Sequence, residues 1–334
     1  MQHPLAGRRQ AQPSGVIETL SAGYSAVNRH VWVLLLPILL DVFLWLGPHV
    51  SYSPLVGPVV THAAEWMRQV ALGSRRGPRS SDLTGSLDDR REWLIARADE
   101  INGLDLLAWG PIALPNLGSL PSASDELAFV SGWPEGLALL GGCLGAGLLL
   151  GGWFYAGLAN ASSGAAGGPL EAGRGTLRAV IGVLGLVAVL LVTALLLGVP
   201  VVLLIGFTAL LSPPVAVLGS ALLGAGVLFA AVHLFFAVPA IFVSHAGPLA
   251  AIQRSVAIVR RNLRPSVVLM LLTWLILAGM TQVWDVLGNT LHAPFGVAVG
   301  IFGNAYIASG LIAAVMIFYT QRTEPLASDA STQR

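Results

Sequence analysis

The sequence predicts an all-α fold, a polytopic α-helical membrane bundle of about six transmembrane helices with amphipathic interfacial helices on its cytoplasmic face. Hydrophobic residues make up 55% of the 334-residue chain and charged residues only 10%, whereas soluble domains are about one quarter charged. A spanning helix needs about 20 mostly apolar residues. Six stretches reach that length, at about 31–50, 135–159, 177–199, 214–243, 264–287 and 295–319.

The third stretch is the least regular, because its apolar run continues through Pro200 to about Leu211. A proline inside a helix removes a backbone hydrogen bond and kinks the chain. A straight helix over the whole run would also exceed the thickness of the bilayer. We predict a break at 198–200. Three placements of residues 200–212 stay open: re-entrant, interfacial, or the end of the third span.

The distribution of arginine predicts the orientation, since short cytoplasmic links carry an excess of basic residues. The 18 basic residues are all arginine, a usage typical of high-GC bacterial genomes, so we expect a bacterial plasma membrane. The short links near 212–214 and 289–294 carry no arginine. Both termini are predicted to be cytoplasmic, together with the segments that hold Arg8, Arg9, Arg29, Arg174, Arg178, Arg254, Arg260, Arg261, Arg264 and Arg322.

Five regions follow from this arrangement. The polar ends, 1–14 and 323–334, are predicted to be disordered. Residues 15–50 hold an interfacial helix and the first span, and residues 133–322 hold spans two to six. Residues 51–132 form an extracytoplasmic loop and cap.

The extracytoplasmic link contains two amphipathic stretches, at 56–70 and 87–101, on either side of a Ser- and Gly-rich segment at 73–85 that predicts a flexible loop. The apolar segment 104–121 is broken by Gly and Pro, which is typical of a cap lying on a bundle. Below about 70–80 residues a hydrophobic core is marginal. The link is therefore too small to form an independent enzyme domain.

A basic amphipathic helix is predicted at 249–263, where apolar residues recur every three or four positions and arginines occupy the other faces. This pattern is typical of a helix lying at a membrane surface. Similar Gly-Pro-Leu openings at 168–170 and 247–249, and an amphipathic stretch at 16–31, indicate three units, each an interfacial helix followed by a helical hairpin. The alternative is that any cytoplasmic link of a membrane protein is basic and amphipathic.

The segments VPAIFV at 238–243, GPLAA at 247–251 and RRN at 260–262 resemble the membrane domain attached to some bacterial glycerophosphodiester phosphodiesterases. That domain also occurs alone in uncharacterised bacterial multi-span proteins, and residues 28–48 are similar to the opening of such proteins. The resemblance implies a membrane module and no hydrolase, because the phosphodiesterase chemistry of the family belongs to a separate barrel domain.

Two polar residues inside apolar runs form the candidate intramembrane site, Asp41 and His233. A charged side chain at mid-membrane costs about 2.5–3.5 kcal/mol on insertion scales, so Asp41 needs a partner or a proton. One interpretation is a substrate or proton site. The other is structural: a hydrogen bond to a neighbouring helix for each residue, or a position of Asp41 nearer the interface.

Catalytic motifs such as HExxH and GxSxG, and phosphate-binding loops, are absent from the sequence, and its one cysteine, Cys143, lies in an apolar run. We therefore predict that the protein is not an enzyme and has no cofactor or metal site. A net charge of +1 gives no indication of a nucleic-acid partner.

The sequence favours a non-catalytic membrane module that binds lipids or partner proteins, a second copy of the chain included. The alternative is a permease for a small or lipid-like molecule, with Asp41 and His233 in its pathway. The residues expected to contact anionic lipid headgroups on the cytoplasmic face are Arg254, Arg260, Arg261 and Arg264.

Overall fold

The computed structural model describes residues 14–74, 80–100, 102–118, 127–130, 132–164, 168–291 and 294–332. Helices make up nearly all of this part of the chain, which confirms the all-α class. The helices are α1 (Val16–Arg29), α2 (Leu35–Leu46), α3 (Ser53–Ser74), α4 (Ser80–Glu100), α5 (Trp133–Ser162), α6 (Pro169–Thr193), α7 (Val199–Leu211), α8 (Pro213–Leu234), α9 (Ala237–Ser244), α10 (Pro248–Arg261), α11 (Leu263–Thr290) and α12 (Phe295–Thr332), and the strands are β1 (His49–Ser51) and β2 (Leu127–Phe129).

The described residues contain five helices long and apolar enough to cross a membrane. A sixth span is obtained if Val16–Arg29 and Val31–Leu46, which are sharply bent at His30, are counted together. This confirms a multi-pass membrane protein with five or six spans. The five helices are Trp133–Ser162, Pro169–Ala209, Pro213–Ser244, Leu263–Gly288 and Phe295–Thr323.

The predicted break at 198–200 is absent. The helix instead widens into a π-helical turn at Ala194–Gly198 and continues as α7 to Leu211. Pro200 has no N–H to donate, and its ring clashes with the carbonyl one turn earlier. The wider turn absorbs this irregularity without ending the helix. Residues 200–209 therefore continue the third span, in a helix of 41 residues that is about 60 Å long at about 1.5 Å per residue.

The helix of the fourth span, Pro213–Ser244, is interrupted for two residues within its length. α8 ends at Leu234 and α9 begins at Ala237. Pro239 cannot donate to the carbonyl of Phe235, which explains a break one turn before it. The buried hydroxyl of Ser255 bonds two backbone groups at this interruption. It donates to the carbonyl of His233 at 2.6 Å and accepts from the N–H of Phe236 at 3.1 Å.

The chain divides into two compact units. The first comprises residues 1–33, 155–280 and 306–334. Its core lies along α12, where every side chain from 313 to 319 is buried. Phe318 stacks on Phe236 with ring centroids 5.2 Å apart. The hydroxyls of Tyr319 and Ser244 share a hydrogen bond of 2.8 Å.

Two glycines allow α1 to cross α12 closely within the first unit. A Cβ atom on Gly23 would meet the carbonyl oxygen of Gly310 and would lie 2.6 Å from the backbone nitrogen of Ala314. The ring of Tyr24 covers Gly310 and lies 5.5 Å from the ring of Tyr306. Small residues at such crossings let helix backbones approach in membrane proteins.

The second unit comprises residues 34–154 and 281–305. Its strands β1 and β2 pair in parallel and carry a small apolar cluster of Val50, Leu55 and Val130. The buried Asn102 holds this cluster: its Oδ1 accepts from the N–H groups of Val50 at 3.0 Å and Leu104 at 3.1 Å. The cap predicted from composition is therefore ordered around one amide side chain.

Helices α3 and α4 contain the predicted amphipathic stretches 56–70 and 87–100, while residue 101 lies outside the described part of the chain. The two helices pack against each other and are joined by an ion pair of 2.6 Å between Arg68 and Asp88. Helical structure reaches Ser74 and resumes at Ser80, so most of the loop predicted at 73–85 is helical, and residues 75–79 lie outside the described part of the chain. An exposed pair of this kind contributes about 0–1 kcal/mol.

The C-terminal end of the last helix differs from the predicted end of the bundle. α12 remains helical to Thr332, beyond the predicted end of the bundle at 322. Helix elongation adds one hydrogen bond for each residue fixed, so a long helix extends past its packed segment. Most of the N-terminal region predicted to be disordered, together with residues 333–334, lies outside the described residues.

Candidate functional site

Asp41 is buried within the second unit, with 1% of its surface exposed. Its Oδ1 accepts a long hydrogen bond of 3.4 Å from the N–H of Leu117. Its Oδ2 has no partner among the described residues. The carboxyl group therefore faces the cap segment that follows Gly103–Leu107, and its one hydrogen bond does not come from a neighbouring helix.

A second buried carboxyl group accompanies Asp41. Asp105 is 7% exposed and lies within electrostatic range of Asp41. Burial raises the pKa of Asp105 to about 6, and the nearby His49 partly opposes that rise. Two carboxyl groups with poor access to water favour protonation of at least one of them. The sequence indicates Asp41 but gives no sign that a residue so far along the chain joins it.

His233 lies in the first unit, whereas Asp41 lies in the second. The Nδ1 atom of His233 bonds the carbonyl of Phe229, one turn earlier in α8, at 2.9 Å. Its ring lies 4.1 Å from the Phe229 ring. The hydrogen bond of His233 is thus made within its own helix, and that of Asp41 within its own unit. The structural interpretation predicts a hydrogen bond to a neighbouring helix for each residue, and neither of these bonds is of that kind.

The four predicted lipid contacts all have exposed side chains, in the middle and at the end of α10 and at the start of α11. We call these side chains, Arg254, Arg260, Arg261 and Arg264, the basic surface. Arg254, Arg260 and Arg264 form no hydrogen bond or ion pair with a described residue. Their charges are therefore available to an external anion.

α10 presents this surface because its opposite face is buried in the first unit. Ala251, Ser255, Ile258 and Val259 have no exposed surface. This face is rotated from the predicted stripe, since Leu249 is 63% exposed and Leu263 is 50% exposed. The sequence pattern gives the period of the helix, but the bonds of Ser255 to the joint of α8 and α9 fix which face packs.

The environment of Arg322 could not be predicted from the sequence. The residue is 7% exposed, and the central carbon of its guanidinium group lies 3.5 Å from the centre of the Phe318 ring. Nη2 donates to the carbonyl of Ser14 at 3.5 Å, and Nε and Nη1 have no partner among the described residues. An arginine at the end of a span is expected to be solvated, whereas this one stacks on an aromatic ring.

The described residues contain no group of three or more His, Cys, Asp or Glu side chains arranged to hold a metal ion. Cys143 is buried in α5 with a free thiol. Comparison of the chain with protein-family models, curated proteins and solved structures found no match. Function is therefore inferred from the arrangement of the chain's own residues.

Proposed function

We propose that the protein is a non-catalytic, multi-pass module of a bacterial plasma membrane that binds anionic lipids through its basic surface, with both termini cytoplasmic. One observation carries the proposal: α10 buries one face in the first unit while Arg254, Arg260 and Arg264 project from it without partners among the described residues. Unpaired arginines on a packed helix beside spanning helices match the chemistry of anionic headgroups.

The magnitude of the effect is sufficient for lipid selection. Each arginine near an anionic leaflet contributes about 1 kcal/mol, a factor of about five in binding. Ser255 holds α10 against α8 and α9, so little backbone ordering accompanies lipid contact. The resemblance of the segment 238–262 to a membrane domain of modular enzymes supports the same proposal, since that domain is separate from the catalytic barrel.

We expect the triple substitution Arg254→Gln, Arg260→Gln and Arg264→Gln to weaken the preference for phosphatidylglycerol over phosphatidylcholine several-fold, because three unpaired charges are removed. Spin-labelled lipids in reconstituted membranes would measure that preference. It should also fall in the unaltered protein as salt is added, since exposed charges are screened beyond about 10 Å at 0.1 M salt.

A matched control carries the same change of charge on α4: Arg90→Gln, Arg91→Gln and Arg97→Gln. We expect its lipid preference to equal that of the unaltered protein. Equal losses in both triple variants would show that net charge alone governs the preference. An unchanged preference in the α10 and α11 variant would refute the proposed role of the basic surface.

The proposed orientation is tested by cysteine labelling in a Cys143→Ala background. Glu92 of α4 and Gln253 of α10 are both exposed, so either accepts a cysteine with little effect on packing. We expect Glu92→Cys to react with a membrane-impermeant maleimide in intact cells with the outer membrane permeabilised. Gln253→Cys should react only after the inner membrane is opened. The reverse pattern would invert the orientation.

A permease is the second candidate, and the unpartnered Oδ2 of the buried Asp41 favours it. A buried carboxyl oxygen without a partner among the described residues is suited to hold a proton or a cation in transit. Asp41→Asn keeps the shape and removes the charge. Under the permease hypothesis it abolishes transport in a substrate screen at normal expression. A variant that loses only thermal stability would identify Asp41 as structural.

A further inference from the structure

A cavity in the first unit combines positive charge with an apolar wall. Its volume is about 360 Å³, within the range of small-molecule sites of about 300–1,000 Å³. One side is formed by α6 and the other by α9 and the turn that leads into α10. The residues that line it include Arg178, Ile181, Ile241, His245 and Pro248.

The polar side chains of the cavity are both basic. Arg178 and His245 are exposed at its edge, and neither side chain bonds a described residue. No acidic side chain is present in the lining. The guanidinium group is a donor in every state, and an imidazole donates a hydrogen bond whether charged or neutral. The cavity therefore suits an anion with several acceptor oxygens, and phosphate is the common one.

The remaining walls are apolar and open toward the outside of the unit. Ile181 is 61% exposed, whereas Ile241 is buried behind the cavity. The start of α10 at Pro248 closes another side, and no side chain caps the amides of that first turn. A cavity of this size holds a headgroup but no acyl chains, so the chains of a bound lipid would leave along Ile181.

We propose that this cavity binds a single phosphate ester carrying an apolar chain, the chemistry of an anionic phospholipid, with its phosphate held by Arg178 and His245. The inference rests on the proposed lipid-binding function but concerns a different site. The basic surface selects among exchanging lipids, whereas the cavity retains one molecule at fixed stoichiometry.

The test is native mass spectrometry of the full chain released from detergent containing equal amounts of phosphatidylglycerol and phosphatidylcholine. We expect one phosphatidylglycerol per protein. The double variant Arg178→Gln, His245→Gln should reduce its retention about 10- to 100-fold, since the hydrogen bond from the Arg178 guanidinium group to the charged phosphate, which contributes about 1.5–3 kcal/mol, becomes at most a neutral one from a shorter side chain. Arg174→Gln is the matched control: it removes the same charge one turn earlier on α6, outside the cavity lining, and should retain the lipid.

Two further variants distinguish a failure of the cavity proposal from a failure of the proposed function of the basic surface. Ile181→Trp fills the exposed edge without removing a buried side chain and should also expel the lipid. Arg254→Gln, Arg260→Gln, Arg264→Gln should leave the single retained lipid in place, because those residues do not line the cavity. If that variant loses spin-label selectivity while no variant changes the retained lipid, the proposed function stands and the cavity site is overturned.

Glycerol phosphate distinguishes a lipid from a soluble phosphate ester. We expect millimolar glycerol phosphate to leave the bound phosphatidylglycerol in place, because it lacks the apolar chain. Complete displacement would assign the cavity to a soluble phosphate compound and overturn the lipid assignment. Equal retention of phosphatidylglycerol and phosphatidylcholine, or retention in the double variant equal to that in Arg174→Gln, would also overturn it.

Discussion

Gly23→Ala is expected to lower the free energy of unfolding by about 2–3 kcal/mol, at the upper end of overpacking in a well-packed core. The added Cβ atom meets the backbone oxygen of Gly310 and the backbone nitrogen of Ala314. Backbone atoms of a packed helix cannot rotate away, so α1 and α12 must separate. Titration with a denaturing detergent, followed by circular dichroism, would measure the loss.

Gly173→Ala is the matched control, because a Cβ atom there has no neighbour within 4 Å. Replacing a helical Gly by Ala stabilises a helix by up to about 1 kcal/mol. We expect this variant to be as stable as the unaltered protein or more so. Gly310→Ala should cost less than Gly23→Ala, since its Cβ atom meets the side chain of Tyr24, which can move more readily than a backbone. Equal losses at Gly23 and Gly173 would exclude a close crossing.

Asn102→Ala is expected to destabilise the second unit by about 2–4 kcal/mol, since it leaves one buried and one partly buried N–H group without this acceptor and each costs about 1–3 kcal/mol. Those groups belong to Val50 in β1 and to Leu104. Hydrogen exchange should accelerate in β1 and β2 before the rest of the unit. Thermal unfolding of the variant would give the overall loss.

Asn116→Ala provides the comparison within the same unit. The side-chain nitrogen of Asn116 is buried without a partner among the described residues, so its removal costs little. We therefore expect a change well below that of Asn102→Ala. A loss at Asn116 as large as that at Asn102 would show that side-chain volume, not hydrogen bonding, stabilises the cap.

The spanning helices could be predicted from the sequence because lipid requires long apolar runs, and such runs are visible without any knowledge of contacts. The two prolines show the limit of that signal. Pro200 and Pro239 look alike in the sequence, yet the helix passes the first through a π turn and breaks before the second. The helix can be interrupted before Pro239 because Ser255, which lies further along the chain, bonds the backbone groups of His233 and Phe236 at the interruption.

The candidate site was predictable in part for the same reason. Asp41 and the arginines of α10 stand out because charge in or beside an apolar run is costly and therefore informative. Asn102, Asp105 and His245 do not stand out, because each lies in a link where polar residues are ordinary. Only the folded chain brings Asp105 near Asp41 and places His245 beside Arg178.

The π-helical turn before Pro200 has a consequence for the surrounding lipid. Because the helix does not end there, residues 179–211 form one uncharged stretch, about 50 Å long at about 1.5 Å per residue. That stretch exceeds a hydrocarbon layer about 30 Å thick by about 20 Å, so the helix must tilt, bend or reach beyond the layer, or the bilayer must thicken around it. A thicker bilayer would match the length of this stretch more closely and would reduce the hydrophobic mismatch.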